Sequence, residues 1–181
     1  VKVTVVGLGY VGLPLLDLIE DKNFIVSGID KDVKLINSLN TKNKNKQKIF
    51  YNELKIIKEA DIIIFCLPTP LNKANNPNLN ILKDALKKTT KYFKYGQLLV
   101  LESTSYPGTT NECTVFLEKK FKIGDNFFIS YSPERIDPGN KKYSLVDIPK
   151  IISGKTINYK KILDQFYKRI FRKTYLASSL E

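Results

Sequence analysis

The sequence predicts an α/β fold, with a doubly wound, mostly parallel β-sheet that carries helices on both faces. Short apolar runs alternate with amphipathic runs along all 181 residues, a pattern typical of repeated β-α-β units. The run ADIIIFCLP at 60–68 is apolar on both faces, as a central parallel strand is. Three glycines stand between the first apolar run and the first amphipathic run. No internal repeat or linker is visible, so we expect one domain over 1–181.

The predicted strands are short runs rich in β-branched and aromatic residues. The first, KVTVVG, ends at the glycines, and the fourth, ADIIIFCLP, is the strongest. In chain order the strands are expected at 2–7, 24–30, 48–52, 60–68, 97–103, 126–132, 149–154 and 173–177.

The predicted helices are the amphipathic runs between these strands. In the first, the residues Val11, Leu15, Leu18 and Ile19 form one apolar stripe. In chain order the helices are expected at 9–22, 32–40, 79–93, 109–120 and 156–170. Thr109 or Thr110 is expected to cap the fourth helix, because a threonine hydroxyl accepts a hydrogen bond from a free backbone N–H at a helix start.

The composition narrows the range of functions. There is no histidine, which excludes His-dependent catalysis within these residues. The net charge is +12, but almost all basic residues are scattered lysines, densest at 41–48 without interleaved aromatic residues. We therefore interpret the charge as a solvated surface and expect no nucleic-acid partner. No apolar run approaches 18 residues, no signal peptide is visible and the two cysteines form no disulfide framework, so we expect no membrane and a cytoplasmic location.

The stretch VVGLGYVGLPLL at 5–16 contains the pattern G-x-G-x-x-G between a strand and a helix. Gly7 permits a tight turn, Gly9 lets a pyrophosphate approach the backbone, and Gly12 lets the helix pack closely on the strand. Asp30 ends the next strand, 18 residues after Gly12, where a carboxylate accepts hydrogen bonds from ribose hydroxyls and repels a 2′-phosphate. The pattern predicts a Rossmann-like dinucleotide site that prefers NAD to NADP.

Three further loops follow successive strands, at the edge where open α/β sheets bind ligands. They are LPTP at 67–70, ESTSYPGTT at 102–110 and SPERIDPGN at 132–140. The first places Thr69 in a turn held by two prolines, and the second offers Ser103 and Thr104 to position a water. The third holds Glu134 beside a proline. Taken singly, each loop is more typical of an ordinary turn than of a functional site. Because all three loops are expected at the same edge of the sheet, their shared position favours one functional site.

These motifs resemble the UDP-glucose/GDP-mannose dehydrogenase family, specifically its NAD-binding N-terminal domain. GLGYVGLPL, CLPTPLN, ESTSYPGTT, SPERIDPGNK and IPKIISG occur in the family's order over almost the entire chain. The motif SPERIDPG resembles that of the branch of the family that oxidises UDP-N-acetylhexosamines, above all UDP-N-acetylglucosamine. The resemblance implies that the C6 alcohol of the sugar becomes a carboxylate while two NAD are reduced, for surface polysaccharide synthesis.

The resemblance also implies roles for single residues. Glu134 matches the general acid/base, and Thr104 matches the threonine that orders a water with it. The family's basic residue after the aspartate falls near Lys34, although Leu35 is the other candidate for that place. Cofactor contacts are expected from Gly7, Leu8, Gly9, Tyr10, Val11, Gly12, Asp30, Lys34, Pro68, Thr69, Ser103 and Thr104. No metal is expected.

One element of the family's pattern is missing from these residues. The family's thiol nucleophile lies in a later Gly-rich segment, and neither Cys66 nor Cys113 matches it. We therefore expect a truncated chain that is inactive alone, and a full-length homo-oligomer that takes a UDP-N-acetylhexosamine. Two alternatives remain: an NAD-binding regulatory or sensor domain, and a lysine-rich nucleic-acid binder that would leave the glycines unexplained.

Overall fold

The computed structural model describes residues 1–44, 48–73, 75–134 and 144–180. Within these residues, eight strands form one sheet in the order β3-β2-β1-β4-β5-β6-β7-β8. The strands are β1 Lys2–Val6, β2 Ile25–Ile29, β3 Lys48–Tyr51, β4 Ile62–Phe65, β5 Leu98–Leu101, β6 Phe128–Tyr131, β7 Lys150–Gly154 and β8 Thr174–Leu176. The strand order reverses between β1 and β4, which is the place where doubly wound sheets bind ligands.

The helices cover both faces of the sheet. They are α1 Gly12–Glu20, α2 Val33–Lys42, α3 Asn80–Thr89, α4 Thr109–Glu118 and α5 Ile157–Lys168, with short 3-10 helices at Leu54–Glu59, Thr90–Tyr92 and Leu145–Asp147. α1, α2 and α5 pack on one face, and α3, α4 and the first 3-10 helix pack on the other. The sheet is therefore the middle layer between two helical layers.

The central strands alternate their side chains between the two cores. In β4, Ile62 and Ile64 join the core beneath α1 and α5, while Ile63 and Phe65 join the core beneath α3 and α4. All four are 6% exposed or less. A strand buried on both faces reads as a continuous apolar run, which is why this strand is the strongest prediction from sequence.

The predicted fold class is confirmed, with two local differences. β7 pairs antiparallel with β6 through Ser130↔Gly154 and Tyr131↔Ser153, whereas the pairs from β3 to β6 and the pair β7–β8 are parallel. The 3-10 helix at Leu54–Glu59 lies in a segment for which no element was predicted. No helix in the described ranges is both long and apolar enough to cross a bilayer.

Candidate functional site

The glycine loop between β1 and α1 is packed so tightly that two of its glycines have no room for a side chain. Gly7 has a φ of +93°, and a Cβ built on it would lie 2.5 Å from the carbonyl oxygen of Cys66. A Cβ built on Gly12 would lie 1.9 Å from the carbonyl oxygen of Gly7. Both predicted roles, the tight turn and the close helix–strand contact, agree with these distances.

Gly9 differs from its two neighbours because nothing lies within 4 Å of a Cβ built there. α1 begins three residues later with no side-chain hydrogen bond at its N-cap, Val11. The first backbone N–H groups of a helix have no partner inside the helix and carry a partial positive charge, so they bind anions. In α1, however, the N–H of Leu13 donates to the carbonyl oxygen of Gly9 at 3.1 Å, and Pro14 has no N–H, so Gly12 supplies the N–H that an anion could use at the helix start. This N–H and the open space over Gly9 together fit a pyrophosphate.

Asp30 lies at the end of β2 and is fixed by two backbone donors. Its Oδ2 accepts a hydrogen bond from the N–H of Leu8 at 2.8 Å, and its Oδ1 accepts one from the N–H of Asp32 at 2.9 Å. A carboxylate accepts about four hydrogen bonds, so lone pairs remain for ribose hydroxyls. Asp32 caps α2 by accepting from the N–H groups of Lys34 and Leu35.

The other residues predicted to contact the cofactor divide into buried and exposed ones. Leu8 is 2% exposed, and its side chain packs over Gly28, where a Cβ would lie 2.9 Å from both Leu8 methyl groups. The backbone N–H of Leu8 therefore binds Asp30, while the side chain of Leu8 packs in the core. Tyr10 is exposed, and Val11 is half-buried. In the first turn of α2, Lys34 is exposed and Leu35 packs against the core, so Lys34 rather than Leu35 can reach a ligand at this edge.

The loops after β4 and β5 are joined to each other by hydrogen bonds. Ser103 Oγ accepts from the N–H of Leu67 at 3.1 Å, and Thr69 Oγ1 donates to the carbonyl oxygen of Thr104 at 2.5 Å. Ser103 is buried, whereas Thr104 and Pro68 are exposed. Of Ser103, Thr69 and Thr104, Thr104 is thus the residue that is exposed to solvent.

The predicted threonine cap of α4 is wrong. The N-cap is Gly108, with a φ of +92° and no side-chain hydrogen bond, and Thr109 Oγ1 donates to the carbonyl oxygen of Tyr106. Glycine adopts this left-handed backbone without the steric cost that threonine would meet, so the turn rather than a hydroxyl sets the helix start.

Glu134 lies in the loop after β6, at the same edge of the sheet as the glycine loop. Its backbone N–H donates to the carbonyl oxygen of Glu102 at 3.1 Å, and its side chain is 7% exposed. Its Oε2 accepts a hydrogen bond from Lys150 Nζ at 3.0 Å. The remainder of the SPERIDPGN motif, at 135–140, lies outside the described residues.

Glu134 is one member of a buried polar cluster that was not predicted. Lys150 Nζ also donates to Glu102 Oε2, and Tyr167 OH donates to Glu102 Oε1. Burial raises the pKa of Glu102, although the Lys150 ammonium acts in the opposite direction. Burial alone would lower the pKa of Lys150, but the two carboxylates outweigh it and the pKa is raised. Glu102 and Lys150 stand inside the motifs ESTSYPGTT and IPKIISG, but no local pattern pairs residues 48 positions apart.

Both cysteines have thiols that resist ionisation. Cys66 follows β4 directly, behind the glycine loop, and burial together with the Glu102 carboxylate raises its pKa well above the ordinary value. Cys113 is buried in α4, and burial raises its pKa to about 12. Since the thiolate is the nucleophile, neither side chain is suited to covalent catalysis. In the described ranges, no group of three metal-ligating side chains is placed to hold a metal ion.

The carboxyl ends of the parallel strands bring most of these residues to one edge. β1, β4, β5 and β6 are neighbours, and the glycine loop, Thr69, Thr104 and Glu134 follow them in that order. A dinucleotide bound over Gly9 and Asp30 would therefore extend toward the carboxylate of Glu134 and the hydroxyl of Thr104. This arrangement suits a redox reaction with proton transfer.

Residues 1–171 match the model of the UDP-glucose/GDP-mannose dehydrogenase family, NAD binding domain. The chain belongs to this family. NAD is accordingly its cofactor.

Relatives of the UDP-glucose/GDP-mannose dehydrogenase domain match along most of the chain. The UDP-N-acetyl-D-glucosamine 6-dehydrogenase of Salmonella typhi is 34% identical over 196 residues, covering 100% of this chain and 46% of that protein. The UDP-N-acetyl-D-mannosamine dehydrogenase of Methanocaldococcus jannaschii is 32% identical over 169 residues, covering 84% of this chain and 39% of that protein. The chain thus spans less than half the length of these relatives. Both are dehydrogenases, and neither supports the sensor alternative.

Solved structures of family members share the fold. A UDP-D-ManNAc dehydrogenase from Pyrococcus horikoshii superposes with a TM-score of 0.90 at 24% identity, covering 99% of this chain and 47% of that one. A GDP-mannose dehydrogenase from Pseudomonas aeruginosa gives a TM-score of 0.88 at 17% identity, covering 100% of this chain and 47% of that one. At these identities the comparison establishes the Rossmann-type fold.

Proposed function

We propose that this chain is the NAD-binding half of a nucleotide-sugar 6-dehydrogenase that oxidises the C6 alcohol of a UDP-N-acetylhexosamine to the uronate. The observation that carries the proposal is the buried carboxylate of Glu134 at the same sheet edge as the dinucleotide loop. An NAD-binding module without catalysis has no need of that carboxylate. UDP-N-acetylglucosamine is the proposed substrate, because relatives acting on it by name match the whole chain.

The overall change is a four-electron oxidation. The C6 alcohol loses two hydrides in succession, and water supplies the second oxygen of the carboxylate. NAD, when bound, supplies the hydride acceptor, so two NAD are consumed per sugar. Glu134 takes up and returns protons, and Thr104 orients the water that Glu134 activates. The product uronates are proposed to serve as precursors of surface polysaccharides.

The rest of the catalytic centre is proposed to lie outside residues 1–181. The oxidation beyond the aldehyde needs a thiolate, and the raised pKa of both Cys66 and Cys113 argues against either of them. We assign the nucleophile and most sugar contacts to a second half of the protein, which would also form the homo-oligomer. The two free thiols and the use of NAD favour the cytoplasm.

Titration calorimetry of residues 1–181 with NAD and with NADP tests the cofactor part of the proposal. We expect NAD to bind more tightly, because Asp30 accepts from free ribose hydroxyls and repels a 2′-phosphate. Equal affinity, or tighter binding of NADP, would contradict the role of Asp30.

The catalytic part is tested by Glu134→Gln in the dehydrogenase that contains this chain. We expect turnover to fall by roughly 10²- to 10⁴-fold, the usual scale for a general acid/base, with little change in NAD affinity. Unchanged steady-state kinetics would reduce Glu134 to a structural loop residue.

A further inference from the structure

We infer that Lys150 is the residue that positions Glu134, and that Glu102 and Tyr167 hold the Lys150 ammonium in place. The inference rests on the proposed role of Glu134 in proton transfer. It adds Lys150 of β7 to the proposed catalytic site, and through Lys150 it also adds Tyr167 of α5. The other groups of that site lie in the loops after β1, β4, β5 and β6.

The contacts form one connected chain of buried groups. Lys150 Nζ lies 3.0 Å from Glu134 Oε2 and also donates to Glu102 Oε2. Tyr167 OH donates to the other oxygen of Glu102. The side chains of Lys150, Glu102 and Glu134 are 4%, 0% and 7% exposed, so water screens these interactions very little.

The backbone of Lys150 is fixed independently of Glu134. Lys150 pairs with Thr174 of β8, and its N–H donates to the carbonyl oxygen of Lys173 at 3.0 Å. Its ammonium also lies 5.5 Å and 5.4 Å from the ring centroids of Tyr167 and Phe171, within the range of cation–π attraction. The ammonium is therefore a rigid point to which the carboxylate of Glu134 is held.

The burial of these charges argues against a purely structural role. Lys150 bridges two carboxylates, and a buried ion pair generally stabilises a fold no more than apolar side chains of the same size. Buried ionisable groups that interact strongly with one another concentrate at functional sites.

Glu102 makes a second connection to Glu134 through the backbone. Its carbonyl oxygen accepts the N–H of Glu134, while its side chain binds the Lys150 ammonium. Glu102 comes directly before Ser103 and Thr104, so one short segment fixes the water-orienting threonine and the support of the general acid/base. A misplacement of a catalytic group by about 1 Å reduces rates by up to roughly 10²-fold.

The test compares three lysine variants in the dehydrogenase that contains this chain. Lys150→Met removes the charge, and Lys150→Arg retains it. Lys160→Met is the matched control, because Lys160 is also buried but donates to the carbonyl oxygens of Ala177 and Ser178. We expect Lys150→Met to lower kcat by roughly 10- to 100-fold without weakening NAD binding. Lys150→Arg should retain much of the wild-type kcat, because it keeps the charge. Lys160→Met should change kcat less than about twofold.

A double-mutant cycle separates positioning from general damage. If Lys150 acts through Glu134, adding Lys150→Met to Glu134→Gln changes kcat less than about twofold, because the group that it positions is already inert. Losses that multiply would overturn the inference. So would an equal loss of kcat in Lys160→Met, or an unaffected kcat in Lys150→Met.

Two further results keep the inference distinct from the proposed function. Normal turnover in Glu134→Gln overturns both, whereas slow Glu134→Gln with normal Lys150→Met overturns the positioning role alone. If Lys150→Met does not fold, Tyr167→Phe serves instead, since it removes one hydrogen bond to Glu102 and keeps the ring. We expect a several-fold loss of kcat in Tyr167→Phe that disappears in the Glu134→Gln background; a loss that persists there would overturn the inference.

Discussion

Gly12 and Gly7 are so close that a Cβ on Gly12 would lie 1.9 Å from the carbonyl oxygen of Gly7. Real Cβ atoms do not approach a backbone oxygen to this distance, so any side chain at Gly12 forces α1 away from β1. Gly9, between them, has nothing within 4 Å of the same constructed atom. The three glycines of one motif therefore have different physical roles.

Gly12→Ala is expected to destabilise the fold. The added methyl group overlaps backbone that cannot move without separating α1 from the sheet, so we expect a loss of about 2–5 kcal/mol in the free energy of unfolding. Urea denaturation followed by circular dichroism measures it. The matched variant, Gly9→Ala, should stay within roughly 1 kcal/mol of the wild type. Equal stability of the two variants would contradict this assignment.

Gly9→Val is expected to abolish NAD binding while the chain remains folded. Its side chain would occupy the open space above the loop, where the pyrophosphate is expected to approach the backbone. Titration calorimetry together with a thermal unfolding curve checks both parts. Retained NAD affinity would show that the phosphates do not approach Gly9.

Asp30→Asn is expected to reduce the preference for NAD over NADP. The amide oxygen can still accept the N–H of Leu8, which the wild-type carboxylate accepts at 2.8 Å, so the glycine loop should keep its shape. The amide NH₂ cannot accept the N–H of Asp32, so that second hydrogen bond is lost. The lost charge weakens the bonds to the ribose hydroxyls and removes the repulsion of a 2′-phosphate. Hydrogen bonds to charged groups contribute about 1.5–3 kcal/mol, which corresponds to roughly 10- to 100-fold in the affinity ratio. Calorimetry with both cofactors measures that ratio, and an unchanged ratio would exclude Asp30 as its source.

The sequence can identify residues whose roles depend on their neighbours along the chain. The glycine loop has no room for a side chain at Gly7 and Gly12, and this requirement is visible as a spacing of glycines between a strand and a helix. β4 is predictable because burial on both faces leaves a continuous apolar run. The carboxyl ends of parallel strands meet at one edge, so the amino-acid sequence alone suffices to place the loops containing Thr69, Thr104 and Glu134 together.

The remaining features depend on contacts between distant parts of the chain. Lys150 meets Glu102 only because β7 turns back antiparallel to β6, and the alternation of elements does not give the direction of a strand. Tyr167 lies 65 positions from Glu102. α4 begins at Thr109 as predicted, but the predicted threonine cap is wrong, because the left-handed backbone of Gly108 sets the turn.

The fold is expected to lose stability as the pH rises above about 9. The pKa of Cys113 is about 12 in the fold against an ordinary 9.0, so between these values the folded chain keeps a proton that the unfolded chain releases. Stability then falls with rising pH, by about 1.4 kcal/mol per pH unit for each such group. Cys66, Tyr167 and Lys150 also have raised pKa values and act in the same direction.

Urea denaturation between pH 7 and pH 11 measures this dependence. Cys113→Ala removes one of the groups, so its free energy of unfolding should fall less steeply above about pH 9 than that of the wild type. The variant is also expected to lose about 1 kcal/mol at pH 7 from the smaller side chain. Parallel curves for the two proteins would show that Cys113 ionises equally in the folded and unfolded chains.

Residues 1–181 alone are expected to bind NAD and yet to oxidise no nucleotide sugar. The proposed mechanism uses a thiolate at C6 for the oxidation past the aldehyde, and burial raises the pKa of both thiols in this chain. Incubation with UDP-N-acetylglucosamine and NAD, followed by NADH absorbance, should show no turnover. A thiol-reactive chromogenic reagent should label Cys113 slowly in the folded chain and rapidly in urea, which confirms its burial independently. Turnover that disappears in Cys66→Ser or Cys113→Ser would instead place the nucleophile within this chain and contradict its assignment to a second half.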